Sequence, residues 1–288
     1  MSVNYQITLY FILVLGMLHA CKTPSVQDER SSDLYPWCIV AYDSPERSPT
    51  ERIALLKELG FRKYAYDWRD RHLDSTFSEL KQAMAQDIEI IAVWLWLNAK
   101  RDSVGKLSPA NNRLLATIEK LELKTTLWVG LSGNFFNQLQ EEEALEEAIK
   151  IVNFAAEKAH HLGCKVALYN HSGWFGNPYN QLKVINALPK HKLSMVYNFH
   201  HGHSTIDEFP ALVEAMYPHL SAVNLNGMEK DGQKILPIGQ GDHEKEMIES
   251  LKAAGFDGPW GILGHVENVD VKTILEQNIK GLTAVGID

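Results

Sequence analysis

From residue 35 onward the chain alternates two kinds of segment. Short runs rich in β-branched and aromatic residues recur eight times, at Trp37–Tyr42, Lys63–Trp68, Ile88–Leu97, Thr125–Leu131, Lys165–Asn170, Leu193–Phe199, Ser221–Leu225 and Pro259–Gly264. Between them lie stretches with apolar residues at helical spacing, and their starts are marked. Ser48-Pro49-Thr50-Glu51 combines an N-cap, a proline at the first helical position and a capping-box glutamate, and Gly60 stops that helix. Thr76-Phe77-Ser78-Glu79 repeats the capping box; Asn177-Pro178, Thr205-Ile206-Asp207-Glu208 and Asp270 mark further starts. Glu141 to Gly163 reads as the longest helix, acidic at its beginning and basic at its end, as the helix dipole favours.

Eight strand–helix units in about 250 residues predict a parallel sheet closed into a single (β/α)8 barrel over residues 35–288. The other arrangement with this alternation is an open, doubly wound sheet. Binding a nucleotide there would call for a glycine-rich phosphate turn after an early strand. No GxGxxG or Walker sequence occurs, so no nucleotide cofactor is expected. Hydrophobic residues make up 45% of the 288, enough for one continuous core.

The N-terminus breaks the pattern. Ile7 to Leu18 is almost wholly apolar, too short to span a bilayer and suited to a secretory signal. Leu18-His19-Ala20-Cys21 follows, and a small residue before cysteine resembles a bacterial lipobox. Residues 1–20 are thus expected to be a lipoprotein signal peptide, Cys21 the lipidated residue and 21–34 a polar, flexible tether. The protein would then sit in the bacterial cell envelope, periplasmic or at the outer membrane, held to the membrane by an N-terminal lipid anchor. An ordinary signal peptide with an incidental cysteine is the plainer alternative. Cys38 and Cys164 lie in or before apolar runs and read as buried free thiols, and no CxxC zinc spacing occurs. Net charge is −8 with no Lys/Arg cluster, which disfavours a nucleic-acid partner.

In a barrel of this kind chemistry belongs to the loops after the strands. The polar residues are densest there in the second half. Strand five ends Tyr169-Asn170-His171-Ser172-Gly173-Trp174, strand six ends Tyr197-Asn198-Phe199-His200-His201-Gly202-His203, and strand seven holds Asn224 and Asn226. Period-two alternation puts Asn224 with Asn226, Asn198 with His200, and Tyr169 with His171. Asparagine is a poor strand residue, so its presence asks for hydrogen bonds, either to a polyhydroxy ligand or within the protein. Adjacent histidines in a strand face opposite ways, so at most His200 and a turn-borne His203 are expected to converge. Trp94 and Trp96 share a face. Trp174, in a Gly-Trp-Phe-Gly loop, is the expected sugar platform.

These strand ends bring a family into view. Residues 35–288 resemble the sugar-phosphate isomerase/epimerase group with a xylose-isomerase-like barrel, which also includes endonuclease-IV-type repair enzymes. The likeness rests on Asn170-His171, the His200-x-x-His203 spacing, the Ile238-Gly239-Gln240-Gly241-Asp242 turn and the strand ending at His265. It implies a divalent metal held mainly by carboxylates and histidines. Here Tyr169 stands where the first glutamate is expected, His200 replaces an aspartate, Asn224 and Asn226 replace a His and an Asp, and Gln240 replaces the acid of the turn. Losing these carboxylates removes the ligands that favour hard cations. A softer site with Zn, Mn or Fe on His200 and His265 remains one option, and a metal-free polar pocket the other.

The resemblance implies an isomerase, epimerase or lyase acting on a sugar or keto-sugar derivative by proton abstraction beside a carbonyl. His171 and His203 are the candidate acid–base residues. Asn170, Asn198, Asn224, Asn226, Gln240, Asp242 and Trp174 are the candidate saccharide contacts. The alternative is a non-catalytic carbohydrate-binding lipoprotein whose metal site has degenerated.

Overall fold

The computed structural model describes residues 33–287; Cys21 and most of the proposed tether lie outside them. Eight parallel strands form one sheet: β1 Leu34–Trp37, β2 Lys63–Tyr66, β3 Glu89–Leu97, β4 Thr126–Leu131, β5 Lys165–Tyr169, β6 Ser194–Asn198, β7 Leu220–Leu225 and β8 Trp260–Leu263. Eight main helices follow them in turn: α1 Pro49–Glu58, α2 Leu73–Ala85, α3 Pro109–Lys120, α4 Glu141–His161, α5 Pro178–Ala187, α6 Phe209–Met216, α7 Glu244–Ala253 and α8 Val271–Gly281. Among the described residues no helix is long and apolar enough to cross a membrane.

The ladder runs β1-β8-β7-β6-β5-β4-β3-β2, so the barrel closes at a seam between β1 and β2. There a side chain replaces the ladder. Asp67, fully buried just past β2, accepts the amides of Ile39, Val40 and Ala41 at 2.8, 3.0 and 3.1 Å. This corrects the expected first strand. The apolar run Trp37–Tyr42 does not stay extended, because Cys38 is left-handed (φ 59°) and the next three amides turn to Asp67.

Ser48, Asn177 and Asp270 cap α1, α5 and α8 as the sequence predicts. The other two starts are displaced. Thr76 lies inside α2, its hydroxyl 3.0 Å from the Tyr66 hydroxyl, and Glu79 turns inward to Arg52 Nε (2.8 Å) and the Tyr64 hydroxyl (2.7 Å). Thr205 sits in a 3-10 turn with its hydroxyl on Tyr197 (2.9 Å), and α6 begins only at Phe209. In both cases a buried partner outbids the cap.

Aromatic rings fill the barrel axis. Trp37 packs edge-on against Trp128 (centroids 4.9 Å) and tilted against Tyr169 (5.6 Å), and Trp94 meets Tyr169 at 4.7 Å. The Tyr169 hydroxyl accepts from Trp37 Nε1 at 2.8 Å and from Asn198 Nδ2. This layer is a closed floor beneath the mouth formed by the strands' carboxyl ends.

Candidate functional site

Two contiguous cavities open above that floor. The inner one, about 260 Å³, is walled by Tyr42, Arg69, His171, His200, His201 and His265, with Trp37, Tyr169 and Asn198 among the residues beneath. The outer one, about 480 Å³, shares Arg69, Trp94 and His171 with it and adds Trp68, Trp96 and Arg101. Trp94 and Trp96 stack at 5.7 Å and 21°, and His171 stands edge-on to Trp96 at 4.9 Å.

Four imidazoles form a continuous row. His171 and His201 are 4.4 Å apart between ring centres, His201 and His200 4.4 Å, and His200 and His265 5.3 Å; Tyr42 then lies against His265 at 3.7 Å. Burial holds all four below the usual imidazole pKa. His171 and His200 are pushed down to about 4 and His201 to about 2, with the neighbouring imidazoles and, for His171, the Arg69 guanidinium adding to the effect. Burial likewise lowers His265. At neutral pH the row is uncharged, with lone pairs available for proton transfer. Among the described residues no carboxylate lines the inner cavity.

The structure sorts the residues expected from sequence into three groups. His171, His200, His265 and Asn198 line the inner cavity. Asn170, Asn224 and Asn226 are buried and each bonds to protein, though Asn224 Nδ2 and Asn226 Oδ1 have no partner among the described residues. Asn170 ties β5 to β6 through the Asn198 amide (2.7 Å) and carbonyl (3.2 Å), Asn224 accepts the Tyr35 hydroxyl (2.9 Å), and Asn226 donates to the carbonyls of Gly227 and Lys234 (2.9 Å each). The rest lie away from both cavities. His203 has Nε2 3.4 Å from the Lys234 carbonyl. Gln240 and Asp242 are exposed on a turn gripped from below by Glu244, which accepts the Gly239 and Gly241 amides at 3.0 and 2.8 Å. Trp174 stacks on Phe136 (5.6 Å, 22°) and donates to Glu141 at 2.6 Å, so one face and its N–H are already used within the protein.

Three site residues were outside the sequence expectation. His201 was excluded by strand alternation, but Phe199–His201 is a 3-10 turn, and both His200 and His201 swing into the cavity. Trp96, stacked on Trp94, lines the outer cavity, and Trp174 does not. Arg69 follows the end of β2, where the barrel rule alone would have drawn notice to it.

A sequence profile described as "Xylose isomerase-like TIM barrel" matches residues 53–284. The chain belongs to the xylose isomerase-like TIM barrel family. No curated protein matches the sequence significantly. Solved structures share the family's barrel at low identity. They include a D-psicose 3-epimerase determined with D-fructose (TM-score 0.61, 14% identity, covering 88% of this chain and 96% of that one). A 3-keto-D-glucoside 4-epimerase from E. coli gives 0.59 and 12%, covering 86% and 99%. The IolI protein with a bound zinc atom gives 0.63 and 13%, covering 88% and 98%.

A metal of the kind bound by some family barrels fits these residues poorly. Tyr169, at the place of the first expected carboxylate, has its oxygen occupied by two N–H donors. Among the described residues no three His, Cys, Asp or Glu side chains stand close enough together to hold an ion. Arg69 lines the same cavity as the imidazoles, and its positive charge repels a cation.

Proposed function

We propose that this barrel is a sugar isomerase, epimerase or lyase that moves a proton beside the carbonyl of a sugar or keto-sugar derivative. The observation that carries the reading is the uncharged imidazole row facing a guanidinium at the barrel mouth. His171 is the base in this reading. Its Nδ1 lies 3.0 Å from Ser172 Oγ, and a proton held there leaves the Nε2 lone pair free. The stacked Trp94 and Trp96 offer an apolar wall for the C–H face of a sugar ring in the outer cavity.

The test is solvent exchange. The protein is incubated in D2O with a panel of ketohexoses and 3-keto-glycosides, and deuterium is sought at the carbon beside the carbonyl. His171→Ala should lower exchange by roughly two to four orders of magnitude, while His203→Ala should leave it at the parental rate. The lost carboxylates favour a second reading, a non-catalytic carbohydrate-binding lipoprotein. Saccharide binding by a parent protein that exchanges no deuterium with any member of the panel would select it.

We further infer that Cys21 carries lipid and that residues 22–33 link it to β1 at the cell envelope. Cys21→Ser should release the protein from the membrane fraction; a mutant that stays with the membranes would refute the anchor.

A further inference from the structure

Arg69 is the one permanently charged group lining the inner cavity among the described residues, and it also borders the outer cavity. A guanidinium carries five N–H donors. Nη1 donates to the Trp68 carbonyl at 2.8 Å and Nη2 reaches the Tyr42 hydroxyl at 3.5 Å, which leaves three of the five without an acceptor among the described residues. Among the described residues no carboxylate stands within ion-pair distance of it. Asp67, two residues back, attracts it but has its oxygens on the seam amides. A partly buried cation with spare donors, set among neutral imidazoles, is arranged to meet negative charge that arrives with a ligand or develops on it.

We propose that Arg69 is the electrophile of this site, binding the carbonyl oxygen of the bound keto sugar and holding the negative charge that collects there. The inference rests on the proton-transfer reading above. The step balances without an added reagent. An imidazole nitrogen takes the proton from the carbon beside the carbonyl, and the C–H electron pair becomes the C=C bond. The carbonyl π pair moves to oxygen, where the guanidinium pairs with the enolate. Return of the proton to the same carbon on either face completes epimerisation; its delivery to the former carbonyl carbon, with the adjacent hydroxyl proton passing to the enolate oxygen, completes isomerisation; departure of a β-substituent with its bonding pair, protonated by the imidazolium, restores the carbonyl and completes elimination. Arg69 would thus supply the positive charge for which this chain lacks a fitting metal site.

Two measurements on Arg69→Ala and Arg69→Lys test this, with circular dichroism showing that each is folded. The first is binding of arabinonohydroxamate, a planar mimic of a sugar enediolate, followed by calorimetry with and without EDTA. The parent should bind it equally in both conditions, and Arg69→Ala should bind roughly 100- to 1,000-fold more weakly. The second is deuterium exchange into whichever panel sugar the parent labels. Arg69→Ala should lose exchange by a similar factor and regain part of it in millimolar guanidinium, and Arg69→Lys should fall between, since an ammonium keeps the charge but loses the planar fork. Parental exchange and parental hydroxamate affinity in folded Arg69→Ala would overturn the role of Arg69 and leave the proton-transfer reading standing. Loss of parental binding in EDTA would assign the role to a metal. A parent that neither exchanges deuterium nor binds hydroxamate would overturn both readings together.

Discussion

Two layers of the barrel lie one strand step apart and behave differently. In the floor, Tyr169, Asn198 and Trp37 bond to one another, and Asn224 lies under them on Tyr35. In the mouth, His171, His200 and His265 come two residues later on the same chain segments as Tyr169, Asn198 and Leu263, yet they border open space beside Arg69. The residue types in the two layers are equally capable of chemistry. What separates them is how far the protein already uses their donors and acceptors: the Tyr169 oxygen takes two donors, whereas the mouth imidazoles border open space, and a group with capacity to spare beside a cavity can receive a ligand.

Substitution of Tyr169 is the strongest way to break this division. Tyr169→Ala removes a buried ring and leaves Trp37 Nε1 and Asn198 Nδ2 without their shared acceptor. Chemical denaturation should show a loss of about 3–5 kcal/mol. His171→Ala in the mouth should cost under about 1 kcal/mol while abolishing most exchange, because its loss opens no sealed core. If the two variants were equally destabilised, the layers would not be distinct.

A smaller effect sharpens the same contrast through pH. His201 has a folded pKa near 2, below the ordinary value near 6.5, so the unfolded chain binds a proton that the folded chain refuses. Its contribution is complete above about 6.5 and is lost steadily as pH falls toward 2; those of His171 and His200 level off near 4. Parent stability minus that of His201→Asn should therefore shrink as pH drops from 7.5 to 5. Tyr169→Phe, a floor change, should show no such convergence. A difference between parent and His201→Asn that is constant over this range would mean that the imidazole is solvated rather than buried.

Much of the architecture was legible because it follows from periodicity. Seven of the eight apolar runs became strands, the first strand instead ending where its run begins, and Ser48, Asn177 and Asp270 cap helices through rules that need only neighbouring residues. What escaped depends on partners distant in sequence. Nothing within Trp37–Tyr42 announces that Asp67, some 25 residues on, will take its amides. Nor does Thr76-x-x-Glu79 show that Arg52 and Tyr64 will draw the glutamate inward. In the site, the polar density at the ends of strands five to eight was visible, but most of its asparagines serve the frame. Counting residue types cannot tell an asparagine bonded across two strands from one awaiting a hydroxyl. Arg69 carried the opposite difficulty, since a single arginine after an early strand has no pattern to mark it.

Gly130, the penultimate residue of β4, lines neither cavity, yet it bears on the shape of the outer one. A Cβ there would lie 2.6 Å from the Trp94 ring and 3.0 Å from that of Trp96. Even alanine at 130 would push the stacked pair off its seat, and with it the wall of the outer chamber. Under the proposed function, selectivity among sugars is therefore open to change by one methyl group on β4, outside the lining of both cavities. A library restricted to mouth residues would leave that control untried.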